Sequence, residues 1–298
     1  MKRFVAALVL GVLPFASLAA DKAVHKRAAK VTAADFTKDG DPNVMSSGVL
    51  VFDPNTGQTL FAKNADQVTP IASITKLMTA MVVLDSKLAM EEAIEISTED
   101  IDLLKNTKSR LPIGAHFRRD DLLRLALMAS DNRAASALGR NYPGGITAFV
   151  AQMNAKALTL GLTQTHYVDS SGLSPANVSS PQDLARLVAA AAKYPLISEY
   201  STTGSVNVTL PNTTRKLNFV NTNALVRSSD WEIGLSKTGY INEAGKCLVM
   251  QAQIANQPVV IVLLDSWGRL TRVGDANRIK KWLERNPGKV AGNQLRPG

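Results

Sequence analysis

Ser73-Ile74-Thr75-Lys76 opens a strongly apolar helical run that continues from Leu77 to Leu84, and it is the one Ser-x-x-Lys in the chain. Residues three apart share a helix face, so the Ser73 hydroxyl and the Lys76 amine can meet. A lysine at a helix N-terminus feels an adverse dipole, and burial in an apolar run disfavours its charge further. Both effects favour a neutral amine able to take the proton of Ser73. The same helix end offers the Ser73 N–H to an oxyanion. Ser130-Asp131-Asn132 falls between two helical runs. Ser130 could relay a proton to a leaving amine and Asn132 could bond a peptide carbonyl and steady Lys76; taken alone, the tripeptide also reads as a helix-capping turn. Lys237-Thr238-Gly239-Tyr240 lies in a strand-like region. On a strand edge, Lys237 and Thr238 could hold a carboxylate, Gly239 would let the backbone approach closely, and the Tyr240 N–H could complete an oxyanion hole. The alternative there is a plain turn. Ser205-Val206-Asn207 and Tyr240-Ile241-Asn242 also fit a loose Ser/Tyr-x-Asn pattern but fall in or near strands.

Other chemistries are poorly supplied. The histidines are His25, His116 and His166, none with zinc-helix spacing, so no metal site is expected and no cofactor is called for. His166, in Thr165-His166-Tyr167, reads as structural. The single cysteine, Cys247, sits in an apolar run and reads as a buried core residue.

The elements that must position these groups follow an order of strands, helices, strands, helix. Val49–Phe52 and Thr59–Ala62 flank the turn cluster Asp53-Pro54-Asn55-Thr56-Gly57, which predicts a β-hairpin. A mostly helical section runs from about 86 to 199, with helix starts at Asp120-Asp121 and at Ser180-Pro181-Gln182-Asp183. A second hairpin is expected from Lys246–Ile254 and Val259–Asp265 around Ala255-Asn256-Gln257-Pro258, then a closing helix over Asp275–Arg285. Segregated strands and helices predict an α+β fold: an antiparallel sheet flanked by helices, with a mostly helical lobe beside it and a cleft between.

Lys2-Arg3, the apolar stretch Phe4–Leu13 and Ser17-Leu18-Ala19-Ala20 have the layout of an export signal over residues 1–20. Residues 21–44 read as a basic linker, 45–285 as the catalytic domain and 286–298 as a polar tail. No later stretch is long enough to span a bilayer, so no transmembrane anchor is expected after cleavage. The net charge is +9, or +7 without Lys2 and Arg3. An exported chain with no nucleic-acid motif is not expected to bind nucleic acid.

Taken together and in this order, 57 and 107 residues apart, the three motifs resemble the signature of penicillin-binding proteins and serine β-lactamases. More narrowly, Pro70–Thr79 and Asp169-Ser170-Ser171-Gly172-Leu173 resemble segments of the low-molecular-mass D-alanyl-D-alanine carboxypeptidases and endopeptidases. The resemblance implies a DD-peptidase acting on peptidoglycan peptides in the periplasm, and covalently inhibited by β-lactams. It assigns Ser73 as nucleophile, Lys76 as base and Ser130 as proton relay, with Asn132 and Lys237 binding substrate. A class A β-lactamase adds a deacylating glutamate; no glutamate occurs from Asp131 to Ser198 and Glu-x-x-Leu-Asn is absent. The resemblance also covers non-enzymatic penicillin sensors, but these hang on membrane helices and none is expected after the signal; a wall-binding protein would not need both Ser73 and Lys76. Only 59 residues follow Gly239, less than the additional β domain and anchor of many family carboxypeptidases need, which points to the endopeptidase subgroup.

Overall fold

The computed structural model describes residues 35–210, 213–268 and 270–290. The export signal read at residues 1–20, the linker up to residue 34 and the tail from residue 291 lie outside them. The chain enters through β1 (Gly48–Phe52) and β2 (Thr59–Lys63), then β3 (Thr69–Pro70). A 3-10 turn over Ala72–Thr75 leads into α1 (Lys76–Asp85). A small hairpin of β4 (Ala93–Glu95) and β5 (His116–Arg118) precedes α2 (Arg119–Met128), α3 (Asn132–Arg140) and α4 (Gly145–Thr159). Then come β6 (Val178–Ser179), α5 (Pro181–Ala191), α6 (Pro195–Thr202), and the hairpin of β7 (Ser205–Thr209) and β8 (Lys216–Val220). Three long strands, β9 (Glu232–Ile241), β10 (Gly245–Ile254) and β11 (Gln257–Ser266), are followed by α7 (Thr271–Arg285) and α8 (Pro287–Val290).

The main sheet is antiparallel, in the order β2-β1-β11-β10-β9. Alternate residues of a strand face opposite sides, and the core follows that period. Leu50, Val260, Val262, Leu264 and Val249 join α1, α5 and the helices beyond in one apolar cluster. Val49, Val51, Ile261, Leu263, Leu248 and Met250 face α7, against Ala276, Ile279, Trp282 and Leu283. Strand β11 is thus covered on both sides, which is why its sequence is an unbroken apolar run rather than an alternation. Helix α1 is buried from Lys76 to Val83, as expected of a helix apolar all round.

Local chemistry explains most boundaries. Ser180 caps α5 by accepting from the Asp183 N–H, with Pro181 in the first turn. The second hairpin turns more tightly than the sequence suggests. Ala255 and Asn256 both take positive φ (51° and 63°), the pattern of a two-residue hairpin turn, so Pro258 lies inside β11 opposite Gln253. Helix α5, read with the helical lobe, packs on β1 and β11 instead. Ordered structure also begins earlier than Met45. Asp35 pairs with Lys281 at 3.0 Å, Arg285 lies over the Phe36 ring, and Val44 is buried under α7. Asp275 accepts from the Met45 and Ser46 N–H groups and from the Ser46 hydroxyl. That segment looks like linker because the residues that hold it lie some 240 positions away. No helix among the described residues is long and apolar enough to cross a membrane.

Candidate active site

Ser73 sits on the 3-10 turn ahead of α1 rather than inside a regular helix. The turn is held in an uncommon conformation, with Ala72 at φ 48°. Two glycines make room for it. A Cβ on Gly172 would lie 1.9 Å from the Ala72 carbonyl oxygen, and one on Gly239 would lie 3.1 Å from the Ser73 nitrogen. The turn that carries Ser73 is therefore packed between the loop at 169–172 and strand β9.

Lys76 Nζ is 2.8 Å from Ser73 Oγ, 2.7 Å from Asn132 Oδ1 and 2.6 Å from the Ser171 carbonyl. Its side chain is 0 % exposed and has no carboxylate in contact. Burial pulls its pKa down to about 8, against the opposing pull of Asp169, then Asp131 and Asp102. Lys237 Nζ lies 2.8 Å from Ser130 Oγ and 2.9 Å from the Thr238 carbonyl. Burial and the nearby charges of Lys76 and Arg272 push Lys237 well below the usual lysine range. Thr238 shares a 2.6 Å hydrogen bond with Thr222.

The capping turn and the chemical reading of Ser130-Asp131-Asn132 prove compatible. Asp131 caps α3 by accepting from the Ala134 N–H. Ser130, at φ 57°, is thereby turned to Lys237 and Asn132 to Lys76. The other loose matches stay apart. Asn207 bonds Asn218 within the β7–β8 hairpin, and Tyr240 points to solvent with its hydroxyl on Asn242. Only the backbone of Tyr240 is available to the site. Lys237, Thr238 and Gly239 lie on β9, the edge strand of the sheet, which has no strand partner on the side away from β10, although the Ser236 N–H on that side is taken by Ser201 Oγ. His166 is joined to Val178 through backbone bonds and does not reach the cluster. Cys247 is buried, and burial raises its thiol to about 11, a core residue rather than a nucleophile.

Several groups at the site have no signal in the three motifs. Asp169 gathers the N–H groups of Ser171, Gly172 and Ser174, which shapes the loop that offers the Ser171 carbonyl to Lys76. Asn177 ties Asp169 to Thr75. Arg272, at the start of α7, donates to the Gly239 and Cys247 carbonyls and adds positive charge behind β9.

A serine and a buried lysine at one end of a helix, with a second Ser–Lys contact to the edge strand beside them, form the kind of arrangement that serine acyl-transfer enzymes use. The model of the D-alanyl-D-alanine carboxypeptidase family matches residues 35–267. The chain is 48 % identical to a D-alanyl-D-alanine endopeptidase of Pseudomonas aeruginosa over 86 % of its own length and 84 % of that protein's. It is 44 % identical to the Escherichia coli D-alanyl-D-alanine endopeptidase, over 94 % and 87 %. Among solved structures, a Streptomyces DD-transpeptidase superposes with a TM-score of 0.75 at 30 % identity, covering 81 % of this chain and 97 % of that one. The chain belongs to the D-alanyl-D-alanine carboxypeptidase family of serine peptidases, and its α+β fold is the one these DD-peptidases share.

Proposed function

We propose that the protein is an exported DD-endopeptidase that opens D-alanyl cross-links between peptidoglycan stem peptides in the periplasm. The observation that carries this reading is Lys76, buried without a carboxylate partner and 2.8 Å from Ser73 Oγ. Ser73 attacks the D-alanyl carbonyl while Lys76 takes its proton. The N–H groups of Ser73 and Tyr240 stabilise the tetrahedral oxyanion. Ser130, held by Lys237, passes a proton to the departing amine as the carbonyl–nitrogen bond breaks. Water then cleaves the Ser73 ester, releasing the peptide acid and restoring the hydroxyl. Asn132 orients the acyl part. Lys237 and Thr238, with the charge of Arg272 behind them, favour a carboxylate on the leaving side.

Endopeptidase action is supported by the names of the relatives at 44–48 % identity, matched over most of their length. β-Lactams fit as covalent inhibitors, since a structural neighbour from Listeria monocytogenes, penicillin-binding protein D2, is known in an ampicillin-bound form. The export-signal layout of residues 1–20 supports a periplasmic address. The test is mass analysis of products from a cross-linked muropeptide dimer, with Ser73→Ala as control. Monomers with terminal alanines intact are expected, and none from Ser73→Ala. Loss of a terminal alanine from an uncut dimer makes the enzyme a carboxypeptidase, and unchanged cleavage by Ser73→Ala removes Ser73 as nucleophile.

A further inference from the structure

Asn132 touches Lys76, and the groups that fix Asn132 lie in a loop outside the three motifs. The loop joins the 3-10 turn Thr98–Asp100 to β5 and is organised by Asp102. Asp102 Oδ1 accepts from the N–H groups of Leu104 and Lys105, each at 2.9 Å. Its Oδ2 accepts from the Thr107 N–H at 2.8 Å and from the Thr107 hydroxyl at 2.7 Å. A hydroxyl has one proton. With that proton on Asp102, Thr107 Oγ1 can only accept, and it faces Asn132 Nδ2 at 2.8 Å. The Asn132 nitrogen is thus committed to Thr107, and its oxygen to Lys76 Nζ at 2.7 Å. A flipped amide would set a donor against the lysine and an acceptor against an acceptor, losing both bonds. The loop is also tied across the cleft, because Lys105 pairs with Glu243 in the β9–β10 turn at 2.5 Å.

We propose that Asp102 and Thr107 are positioning residues for acylation of Ser73, holding the Asn132 amide in the one orientation that presents its oxygen to Lys76. The proposal rests on the acyl-enzyme reading above. Asp102 has a second influence through its charge. Lys76 is faced by Asp169 from the 169–172 loop, by Asp131 before α3 and by Asp102, and the amine of Lys237 on β9 lies near it as well. The three carboxylates raise the proton affinity of Lys76, so removing one lowers it.

The experiment measures second-order acylation of the full mature enzyme by a fluorescent penicillin between pH 6 and 9. The variants are Thr107→Val, Thr107→Ser, Asp102→Asn and the Asp102→Asn/Thr107→Val double. Thr107 is exposed, so its replacements should fold, and water can partly substitute for it. Thr107→Val is expected to acylate about five- to tenfold more slowly, and Thr107→Ser within about twofold of wild type. The double variant should be no slower than its slower parent, because both changes break one chain. Asp102→Asn should also move the rising limb of the profile to lower pH. The proposal is overturned if Thr107→Val acylates like wild type, if Val and Ser cost the same, or if the two losses multiply. Failure of the wild-type enzyme to acylate at all would instead overturn the acyl-enzyme reading.

Discussion

Replacing Lys76 by arginine separates a buried proton acceptor from a mere positive charge. With its pKa drawn down from 10.5 to about 8 by burial, the lysine is about 1 % neutral at pH 6 and about half neutral at pH 8. If the neutral amine takes the Ser73 proton, acylation by a β-lactam should rise about fiftyfold over that interval and level off above about pH 9. A guanidinium stays charged throughout, so Lys76→Arg should remove the limb and cost about a thousandfold or more in rate. Stopped-flow quenching with a penicillin, read against pH, measures both. The same group leaves a mark on stability. Its folded pKa lies below its unfolded one, so the unfolded chain holds more protons between about pH 8 and pH 10.5, and stability rises with pH across that window. Below it, the buried charge is a constant penalty of about 3 kcal/mol. Lys76→Met should recover part of that in urea melts at pH 7, less the value of the hydrogen bonds it gives up. Lys237 is shifted in the same direction, chiefly by burial. A wild-type rate that is flat from pH 6 to 9, or an unchanged limb in Lys76→Arg, would refute the assignment of Lys76 as base.

Gly172→Ala should slow acylation more than tenfold and cost about 2–4 kcal/mol, since φ is +81° and the new methyl would overlap the Ala72 carbonyl; acylation kinetics and chemical denaturation would show it, and a variant equal to wild type would mean the 169–172 loop does not press on the turn that carries Ser73. Asp275→Ala strands the Met45 and Ser46 N–H groups and Arg278, and should cost about 3–5 kcal/mol, seen as earlier unfolding and as protease cleavage ahead of β1.

What the sequence made legible at the site was what local spacing controls. Ser73 and Lys76 are three apart, so their meeting follows from helix geometry. Ser130 and Asn132 straddle a cap, so opposite orientations follow from the turn. Lys237 to Gly239 could be placed on a strand, although that the strand would be the sheet edge depended on pairings between distant segments. The groups that finish the site lie outside the three motifs and act through backbone atoms or over long separations, and of these only the Asp169–Leu173 segment is visible beforehand, as a family resemblance. The Ser171 carbonyl belongs to no residue type. Thr107 and Asp102 lie in a stretch the sequence reads as part of a mostly helical section, where the structure has a loop between Asp100 and His116. Arg272 reaches Gly239 from 33 positions away. The same cause misplaced the start of the ordered chain, since Asp35 and Phe36 are held by α7. It also lengthened the second turn, where two positive φ angles let β11 begin before its proline.

The sheet order has a consequence for how the chain reaches its native state. Gly48 pairs with Leu264, and β1 takes its place only when β11 is present to lie between it and β10. A chain delivered from its N-terminus must therefore keep the β1–β2 hairpin waiting while some two hundred residues arrive. Until then the apolar faces of Val49, Leu50 and Val51 have no sheet to complete. Long-range closure of this kind slows folding, and exposed strands invite pairing with the wrong chain. The helical segments between them pack largely on one another, α1 on α3, α4 and α5 and α2 on α3 and α6, and can shorten the effective loop. The β9–β10–β11 meander both completes the sheet against β1 and carries Lys237 to Ser130. Completion of the sheet and of the site are in this sense linked, and a chain halted before β9 would hold Ser73 and Lys76 without Lys237 beside Ser130.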